Sequence, residues 1–332
     1  MLGLAVIGTG HWGRNHARVY KELLSEGMID GLKICDADEN RARQLSESLE
    51  VEYVTDYGDL IEDNGIQAVS IVTPSRTHYQ LGKEFMETGK DVLVEKPLTM
   101  DVDEAKKLVE AADATGRILM VGHLFRYHPA VRELKHRIDA GELGEIQNLI
   151  GNRLLFRVPR SDMGVIYALG IHELDLFCHL LDVDYPERLS ASQTMSYGQN
   201  TEETASIFMD FGYAKGYAFE SWLVAAYDRM RDLVVVGSKG SARVDYLNPQ
   251  QLQLFDNRIV IEEGVPVRVA NDEKHVVALP HAEPLKEELN YFISCVKSRQ
   301  NPLTDGAVGL RSVVMAEAAL QSARTGTAVE LP

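Results

Sequence analysis

The stretch around residue 95 carries the first chemical signal in the sequence, because two charged residues follow a short apolar run there. Residues 92–94 come after a glycine-containing turn and predict a strand buried on both faces of a parallel sheet. The strand ends in Glu95-Lys96-Pro97. Charged side chains at the end of a buried strand are costly unless they are paired or face a cleft, and ligands of open α/β sheets bind at the carboxyl ends of the strands. An ordinary polar strand exit is the alternative interpretation.

A second group of ionisable residues lies in the segment 167–179. The spacing of its apolar residues predicts a helix, and His172, Asp175 and His179 share one face of that helix at positions i, i+3 and i+7. Three interpretations stay open on the residues alone. The three side chains could bind a metal ion, His172 could act alone as a catalytic group, or all three could be surface residues.

Four arginines stand out in an otherwise acidic chain. Arg153, Arg157 and Arg160 precede the predicted histidine helix, and Arg126 lies in the stretch that connects the two halves of the sequence. Guanidinium groups bind phosphate and carboxylate through two parallel hydrogen bonds, so the cluster predicts an anion pocket that would suit a diphosphate. A solvated basic edge is the alternative.

The amino-terminal residues contain a glycine pattern that is typical of dinucleotide binding. An apolar strand, residues 4–7, meets Gly8-Thr9-Gly10-His11-Trp12-Gly13, and residues 15–24 then predict a helix. Gly8 permits the tight turn, Gly10 lets a pyrophosphate approach the backbone, and Gly13 permits close packing of the helix on the strand. The amino terminus of the helix offers unpaired N–H groups to the phosphates. A glycine turn without a ligand is the alternative.

Residues at the ends of two further strands complete the predicted cofactor site. The strand at residues 32–35 ends in Asp36, about 20 residues after the glycine motif, where an acidic residue binds the ribose hydroxyls of NAD. Asp36 would repel the 2′-phosphate of NADP, so we expect NAD to be preferred. Thr73 and Pro74 follow another buried strand, and we expect them to border the nicotinamide. His78 either belongs to this border or caps the helix that follows.

Alternating strand and helix signals run through the first part of the chain. Strands are predicted at residues 4–7, 32–35, 53–54, 68–72, 92–94 and 118–121, with helices between them. This alternation predicts a doubly wound parallel sheet of the Rossmann type, and we assign residues 1–123 to this dinucleotide-binding domain.

The pattern changes to successive strands in the second part of the chain. After a helix that opens at Pro129, strands separated by short glycine-containing turns are predicted at residues 146–156, 188–196, 204–211, 215–223, 232–236, 242–246 and 252–255, and two helices end the chain. We therefore assign residues 124–332 to one α+β domain with a large, mostly antiparallel open sheet. Helices would cover one face of that sheet, and a second copy of the chain would cover the other in a homodimer or homotetramer.

The totals exclude several classes of protein. The chain has 332 residues, enough for two domains, and a net charge of −16, which argues against nucleic acid or an anionic membrane as a partner. The three cysteines are scattered, as in an intracellular protein with free thiols. We recognise neither a leader segment nor an apolar run long enough to span a bilayer, so a cytoplasmic location is expected.

The order of five motifs resembles the Gfo/Idh/MocA oxidoreductases. GTGHWG, CDAD, TPSRTHY, VEKPL and VGHLFRYHP follow one another as in that family, and the resemblance covers nearly the whole chain. It implies that Lys96, with Glu95 beside it, meets the cofactor as the active-site lysine. It also implies that His172 is the catalytic residue, with Asp175 beside it, and that no metal is required. Ala168 departs from the pattern, because many members carry an aspartate at that position.

The resemblance also implies an activity and a mode of association. Members of the family oxidise sugar hydroxyls with NAD or NADP, and they commonly associate through the sheet of the second domain. The arginine cluster is similar to the same region of nucleotide-sugar 3-dehydrogenases, which implies a UDP-N-acetylhexosamine as substrate. Lys96 and His172 would then act on one substrate oxygen from the two domains. An inositol or free-hexose dehydrogenase and a cofactor-binding regulator without activity are the alternatives.

Overall fold

A six-stranded parallel sheet organises the amino-terminal part of the computed structural model, which describes residues 2–198, 200–269 and 274–332. Its strands are β1 (Gly3–Ile7), β2 (Gly31–Cys35), β3 (Glu52–Val54), β4 (Ala68–Ile71), β5 (Asp91–Glu95) and β6 (Leu119–Gly122). They lie in the order β3-β2-β1-β4-β5-β6, which is the order of a doubly wound dinucleotide-binding sheet. All five residues of β1 and of β5 are buried, as expected for central parallel strands.

Helices connect these strands, and local capping signals set their ends. They are α1 (His11–Ser25), α2 (Glu39–Leu49), α3 (Gly58–Glu62), α4 (His78–Glu87) and α5 (Val102–Thr115). The side chain of Asp101 accepts hydrogen bonds from two backbone N–H groups at the start of α5, and Gly116 ends that helix with a φ of 62°. Helix α1 begins four residues earlier than the sequence predicts, so Trp12 and Gly13 of the glycine motif belong to its first turn.

The second sheet has nine strands and is mixed. The strands of this part of the chain are β7 (Ile146–Leu155), β8 (Arg188–Thr194), β9 (Thr204–Asp210), β10 (Lys215–Ser221), β11 (Arg229–Gly237), β12 (Ser241–Asp245), β13 (Gln251–Phe255), β14 (Arg258–Glu262), β15 (Val265–Val269), β16 (Lys274–Ala278) and β17 (Val329–Glu330). The order in the sheet is β16-β13-β12-β11-β7-β10-β9-β8-β17, while β14 and β15 form a separate hairpin. Strands β7 and β10 pair in parallel and their neighbours pair antiparallel.

Helix α6 (Pro129–Asp139) and helix α7 (Ile171–Leu181) belong to this part of the chain, and a π-helical turn, Ile166–Gly170, leads into α7. Helix α7 packs closely on the sheet at two glycines. A Cβ atom on Gly151 would collide with the side chain of Glu173, and one on Gly216 would collide with the ring of Phe177. The absence of side chains at these two positions therefore sets how near the helix lies to the strands.

The last two helices, α8 (Pro284–Ser298) and α9 (Gly306–Thr325), change the predicted domain division. The chain divides into two compact units, Met1–Leu124 with Glu283–Val313, and Phe125–Ala282 with Val314–Pro332. The predicted second domain includes all of residues 124–332, whereas α8 packs against α1 and buries Phe292 and Ile293 in the first unit. The apolar stripe of α8 was visible in the sequence, but the surface that it covers was not.

The predicted fold class is confirmed: a Rossmann-type parallel sheet precedes a domain with a large, mostly antiparallel sheet. Strands β14 to β17 were not predicted. Residues of the β14–β15 hairpin are mostly exposed, so they lack the alternation of buried and exposed positions on which strand prediction depends. Within the described parts of the chain, none of the helices has the length and apolar character needed to cross a membrane.

Candidate active site

The glycine motif of the first unit forms an open loop at the amino terminus of α1. Gly8 has a φ of 93°, and a Cβ atom on Gly13 would collide with the carbonyl oxygen of Gly8, so both positions require glycine. A Cβ atom on Gly10 would meet no atom within 4 Å. No side chain caps the first turn of the 15-residue helix α1, and its backbone N–H groups remain available to an anion.

Asp36 lies beside this loop and is held in place by it. Its Oδ2 accepts hydrogen bonds from the backbone N–H of Thr9 at 2.7 Å and from the Thr9 hydroxyl at 2.8 Å, and Arg41 lies 3.4 Å from the same oxygen. Its Oδ1 accepts from the backbone N–H of Asp38 at 3.0 Å. Burial raises the pKa of Asp36, but these hydrogen bonds and the charge of Arg41 outweigh burial and hold the pKa below its ordinary value. The carboxylate is thus charged and oriented at neutral pH.

Glu95, at the end of β5, ties the Lys96 turn to α1. Its carboxylate accepts a hydrogen bond from Trp12 Nε1 at 2.6 Å, contacts His16 Nε2 at 3.0 Å and accepts from the backbone N–H of Lys96 at 3.2 Å. Burial raises the pKa of Glu95, whereas His16, the charge of Lys96 and the Trp12 hydrogen bond lower it, with a net fall. Because its oxygens face these donors, Glu95 joins two parts of the predicted cofactor site.

His78 connects the two turns that the sequence predicts around the nicotinamide. The side chain is 1% exposed, with Nδ1 at 2.9 Å from the carbonyl oxygen of Pro97 and Nε2 at 3.0 Å from that of Thr73. Burial lowers the pKa of His78 more than the two carbonyls raise it, so the ring is neutral and donates to one carbonyl at a time. The side chain therefore bridges two loops and does not cap α4. The peptide bond between Lys96 and Pro97 is cis.

The residues of the first unit fit a bound dinucleotide. The open space at Gly10, the uncapped amino terminus of α1 and the charged Asp36 lie at the carboxyl ends of neighbouring strands. Pro74 follows β4 and Lys96 follows β5 at the same edge of the sheet. Thr9 and Trp12 are occupied in holding Asp36 and Glu95, so they shape the loop, and His11 is exposed at the first position of α1.

In the second unit, His172 lies in the first turn of α7. Its side chain is nine-tenths buried, and its ring packs edge-on against Phe125, with ring centroids 4.8 Å apart and an angle of 83° between the planes. An aromatic pair at this distance and angle is attractive and restricts the orientation of both rings. The contact with Phe125 therefore restricts the orientation of the imidazole.

Asp175 and Arg126 form a buried ion pair in the second unit. Arg126 Nε lies 3.1 and 2.9 Å from the two oxygens of Asp175, and Nη2 donates to Oδ1 at 2.6 Å. Both side chains are less than a tenth exposed. Burial together with the charge of Arg126 lowers the pKa of His179 to about 4, which makes that side chain neutral at physiological pH. Among the described residues, no group of His, Cys, Asp and Glu side chains has an arrangement that could hold a metal ion.

The other three arginines of the predicted anion pocket differ in accessibility. Arg153 is 1% exposed, and its Nε donates to both oxygens of Glu173 at 2.7 and 2.8 Å. Arg157 is exposed, with its guanidinium 5.7 Å from the centroid of the Trp222 ring. Arg160 is partly exposed and pairs with Asp162 at 2.5 Å. Arg153 and Arg126 are thus occupied in buried ion pairs, which argues against a direct role for either in an open anion pocket.

His16, Glu173 and Phe125 were missed in the sequence, as was the contact of Trp12 with Glu95. His16 and Trp12 are four residues apart on α1 and converge on Glu95, a spacing that the sequence displays. Glu173 lies between apolar residues and the ionisable face of α7, and a carboxylate in a helix that is mostly buried is a signal of a paired charge. Phe125 carries no such signal, because a single aromatic residue in a connecting segment has many possible partners.

Two family profiles match the chain. The Gfo/Idh/MocA oxidoreductase profile, described as an NAD-binding Rossmann fold, matches residues 2–123, and the carboxyl-terminal α/β domain of the same family matches residues 135–331. The chain belongs to the Gfo/Idh/MocA oxidoreductase family. The predictions of an NAD-dependent dehydrogenase and of NAD as its cofactor are confirmed, since this member of the family carries the NAD-binding domain and its relatives are dehydrogenases that include NAD-dependent enzymes.

The relatives of this Gfo/Idh/MocA chain act on different molecules. The scyllo-inositol 2-dehydrogenase (NAD(+)) of Bacillus subtilis (strain 168) is 28% identical over 98% of this chain and 95% of its own length. The UDP-N-acetylglucosamine 3-dehydrogenase of Acidithiobacillus ferrooxidans is 29% identical over 94% of both chains, and its solved structure superimposes with a TM-score of 0.81 over 98% of each. A levoglucosan dehydrogenase in complex with NADH and levoglucosan shares the fold, with a TM-score of 0.86, 18% identity, and coverage of 100% of this chain and 99% of its own.

Proposed function

We propose that this dehydrogenase oxidises a ring hydroxyl of a sugar carried on a nucleotide, of the UDP-N-acetylhexosamine type. The observation that carries the proposal is the position of Lys96 directly after β5, in a turn that Glu95 ties to the glycine motif and that His78 ties to Thr73. A lysine held beside the dinucleotide loop can donate a hydrogen bond to the oxygen of a substrate at the nicotinamide. A ring hydroxyl of the sugar part of a nucleotide sugar supplies such an oxygen.

His172 acts as the general base of the reaction. Bound NAD supplies the acceptor for the hydride that leaves the carbon of the hydroxyl group. The imidazole of His172 takes the hydroxyl proton, and Lys96 donates a hydrogen bond to the same oxygen while negative charge develops on it. Phe125 restricts the orientation of the imidazole. The ion pair between Arg126 and Asp175 holds the next turn of α7, one turn after His172.

Arg157 and Arg160 support a nucleotide diphosphate as the anionic part of the substrate. They are the members of the arginine cluster that are at least partly exposed, and each could donate charge-assisted hydrogen bonds to phosphate oxygens. The A. ferrooxidans relative, a UDP-N-acetylglucosamine 3-dehydrogenase, is consistent with this choice. The burial of Arg126 and Arg153 favours the second candidate, an inositol or free-hexose dehydrogenase, because it leaves fewer cations for a diphosphate.

A substrate screen tests the proposal. The enzyme is mixed with NAD and with UDP-N-acetylglucosamine, UDP-N-acetylgalactosamine, N-acetylglucosamine, glucose, scyllo-inositol or myo-inositol, and formation of NADH is followed by absorbance. We expect turnover with a UDP-N-acetylhexosamine and a much lower kcat/KM with the free sugar. Efficient turnover of an inositol, with none of the nucleotide sugars, would replace the proposal by the second candidate.

Substitutions of Lys96 and His172 test the assigned roles with the substrate that the screen selects. Lys96→Met keeps the length of the side chain but removes the charge and the donor, and His172→Asn removes the base. Each is expected to lower kcat by roughly 10²- to 10⁴-fold, the usual contribution of a positioned acid–base group, with NAD affinity nearly unchanged. Because both groups serve one proton transfer, the double variant should be little worse than the worse single variant. Multiplication of the two losses would show that the groups act independently.

The proposed assembly is a homodimer or homotetramer through the nine-stranded sheet. On the face opposite α7, Ile150, Tyr217 and Phe219 are between 36% and 42% exposed, although they are large and apolar. A second copy of the chain would remove these side chains from water. Light scattering of the wild type and of Tyr217→Glu provides the test. A wild-type protein that is monomeric at micromolar concentration would contradict the proposed assembly.

A further inference from the structure

A cluster of ionisable side chains lies buried between α7 and the nine-stranded sheet of the second unit. Arg153 comes from β7, Glu173 from α7 and Glu220 from β10, and each is at most 1% exposed. Arg153 Nε donates to both oxygens of Glu173, at 2.7 and 2.8 Å. The proposed mechanism uses none of these three residues, although Glu173 is the residue next to His172.

The surroundings of Glu220 favour its protonated form. Burial, followed by the negative charge of Glu173, raises the pKa of Glu220 well above its ordinary value. If both carboxyls were ionised, neither oxygen of Glu220 would have a donor among the described residues. A proton on Glu220 converts it into a donor to Glu173, which leaves Arg153 and Glu173 as the charged pair. Arg231 on β11 and Tyr246 after β12 also face this pair, and burial lowers the pKa of Arg231 and raises that of Tyr246.

The ion pair is connected to His172 through an aromatic ring. The guanidinium of Arg153 lies 4.0 Å from the centroid of Phe125 and 4.7 Å from that of Tyr246. Phe125 also packs edge-on against His172, with ring centroids 4.8 Å apart. Phe125 and Tyr246 also pack on each other, with centroids 4.6 Å apart. Arg153 thus supports the ring that restricts His172, while its partner Glu173 holds the adjacent position of the helix.

We infer that the Arg153–Glu173 pair is a positioning device for His172: it holds the first turn of α7 and the Phe125 ring so that the imidazole points in one direction. This inference rests on the proposed role of His172 as the general base. Replacing a buried ion pair by apolar residues of similar volume is often neutral or stabilising, so stability alone gives little reason for such a pair. A geometric role gives a reason for the pair, because a displacement of about 1 Å at a catalytic group can lower the rate about 10²-fold.

The principal variant replaces both members of the pair, Arg153→Met with Glu173→Met, which removes the charges without leaving either one unpaired. A partly exposed pair at the surface of the same unit provides the matched control, Arg137→Met with Glu133→Met, because Arg137 Nε donates to Glu133 at 2.7 Å on α6. Phe125→Leu removes the ring between Arg153 and His172 but leaves the ion pair intact, so it carries the test if the principal variant does not fold. Thermal unfolding shows which variants are folded.

The first measurement is independent of the substrate. In the NAD-bound enzyme with ¹³C-labelled histidine, the ring resonance of His172 is assigned by its loss in His172→Asn. We expect that this resonance shifts or splits in the principal variant and in Phe125→Leu, and that the surface control leaves it unchanged. Glu220→Gln keeps a donor to Glu173 and is also expected to leave it unchanged. An unaltered resonance in both the principal variant and Phe125→Leu would overturn the inference.

The second measurement is turnover of the substrate that the screen selects. The principal variant is expected to lower kcat by roughly 10- to 100-fold and to shift the pH profile of kcat, with KM changed by less than about threefold. A higher KM for the nucleotide sugar with unchanged kcat would assign Arg153 to anion binding and overturn the inference. If His172→Asn kept full turnover, the proposed function would fail. If His172→Asn were inactive while the principal variant kept its kcat and pH profile, only the positioning role would be lost.

Discussion

Glu288→Gln in α8 is expected to make the first unit more stable at neutral pH. Glu288 is fully buried, and neither of its oxygens has a partner among the described residues. Burial, followed by the negative charge of Glu95, raises the pKa of Glu288 well above its ordinary value. The carboxyl therefore keeps its proton in the folded protein and loses it on unfolding. A glutamine of nearly the same shape has no proton to lose.

The size of the effect follows from the number of protons that residue 288 binds in the folded and in the unfolded protein. In the unfolded chain the pKa of Glu288 is about 4.3. Below this pH the side chain is protonated in both the folded and the unfolded protein, and the wild type loses no stability. Above it only the unfolded chain ionises, so the free energy of unfolding of the wild type falls by about 1.4 kcal/mol for each pH unit up to the folded-state pKa. The advantage of Glu288→Gln should therefore be absent near pH 4 and grow steadily as the pH rises.

Urea unfolding between pH 4 and pH 8 measures this difference. The chain has two tryptophans, and in a Trp222→Phe background the remaining one, Trp12, reports on the first unit through its hydrogen bond to Glu95. Such a signal isolates one unit of a protein whose two units need not unfold together. Glu87→Gln on α4, whose side chain is about half exposed, is the control and should shift the curve little at any pH. Curves for Glu288→Gln and wild type that run parallel over the whole range would refute a raised pKa for Glu288.

The remaining predictions concern the cofactor, the substrate and metals. The wild type should use NAD with a higher kcat/KM than NADP. Asp36→Ser should reduce this difference in kcat/KM, because it removes the charged carboxylate and leaves Arg41 beside the site. Equal use of both cofactors by the wild type would contradict the prediction. Arg157→Ala should raise KM for a UDP-sugar by roughly 10- to 100-fold, because a charge-assisted hydrogen bond worth roughly 1.5–3 kcal/mol is lost. KM for the free sugar should stay nearly unchanged. Equal changes in the two KM values would show that Arg157 has a structural role only. Turnover should survive dialysis against EDTA, because His172, Asp175 and His179 are not expected to bind a metal ion. Stoichiometric zinc that is lost together with activity would contradict this.

The sequence could predict the first unit because its signals are local. A buried apolar strand, a glycine turn and a capped helix can each be recognised within a dozen residues, and their alternation determines the topology. The start of α1 was placed too late because Trp12 and Gly13 were interpreted as loop, although they form the first helical turn. The placement of α8 could not be predicted, since periodicity shows that a helix has an apolar face but not which sheet or helix it meets.

The candidate site was predictable in its residue types and less so in their partners. The motifs identify Asp36, Lys96 and His172 as candidates because the types and positions of these residues suit the chemistry. Two of the hydrogen-bond partners of Glu95 lie about 80 positions earlier in the chain, and the sequence gives no measure of that proximity. The resemblance implies that Glu95 contacts the cofactor, and its described bonds go to Trp12, His16 and the backbone of Lys96.

Burial separates the four arginines, which looked equivalent in the sequence, into two classes. Arg126 and Arg153 have carboxylate partners 49 and 20 residues away on α7, so their charge is matched inside the protein. Both side chains are less than a tenth exposed, so a substrate phosphate could reach either guanidinium only if the residues around it moved. Only an arginine with an exposed guanidinium can bind an anion at small cost, which describes Arg157 best. Selectivity for a nucleotide sugar over an inositol should therefore depend on the segment around Arg157, while Arg126 and Arg153 each pair with a carboxylate of α7.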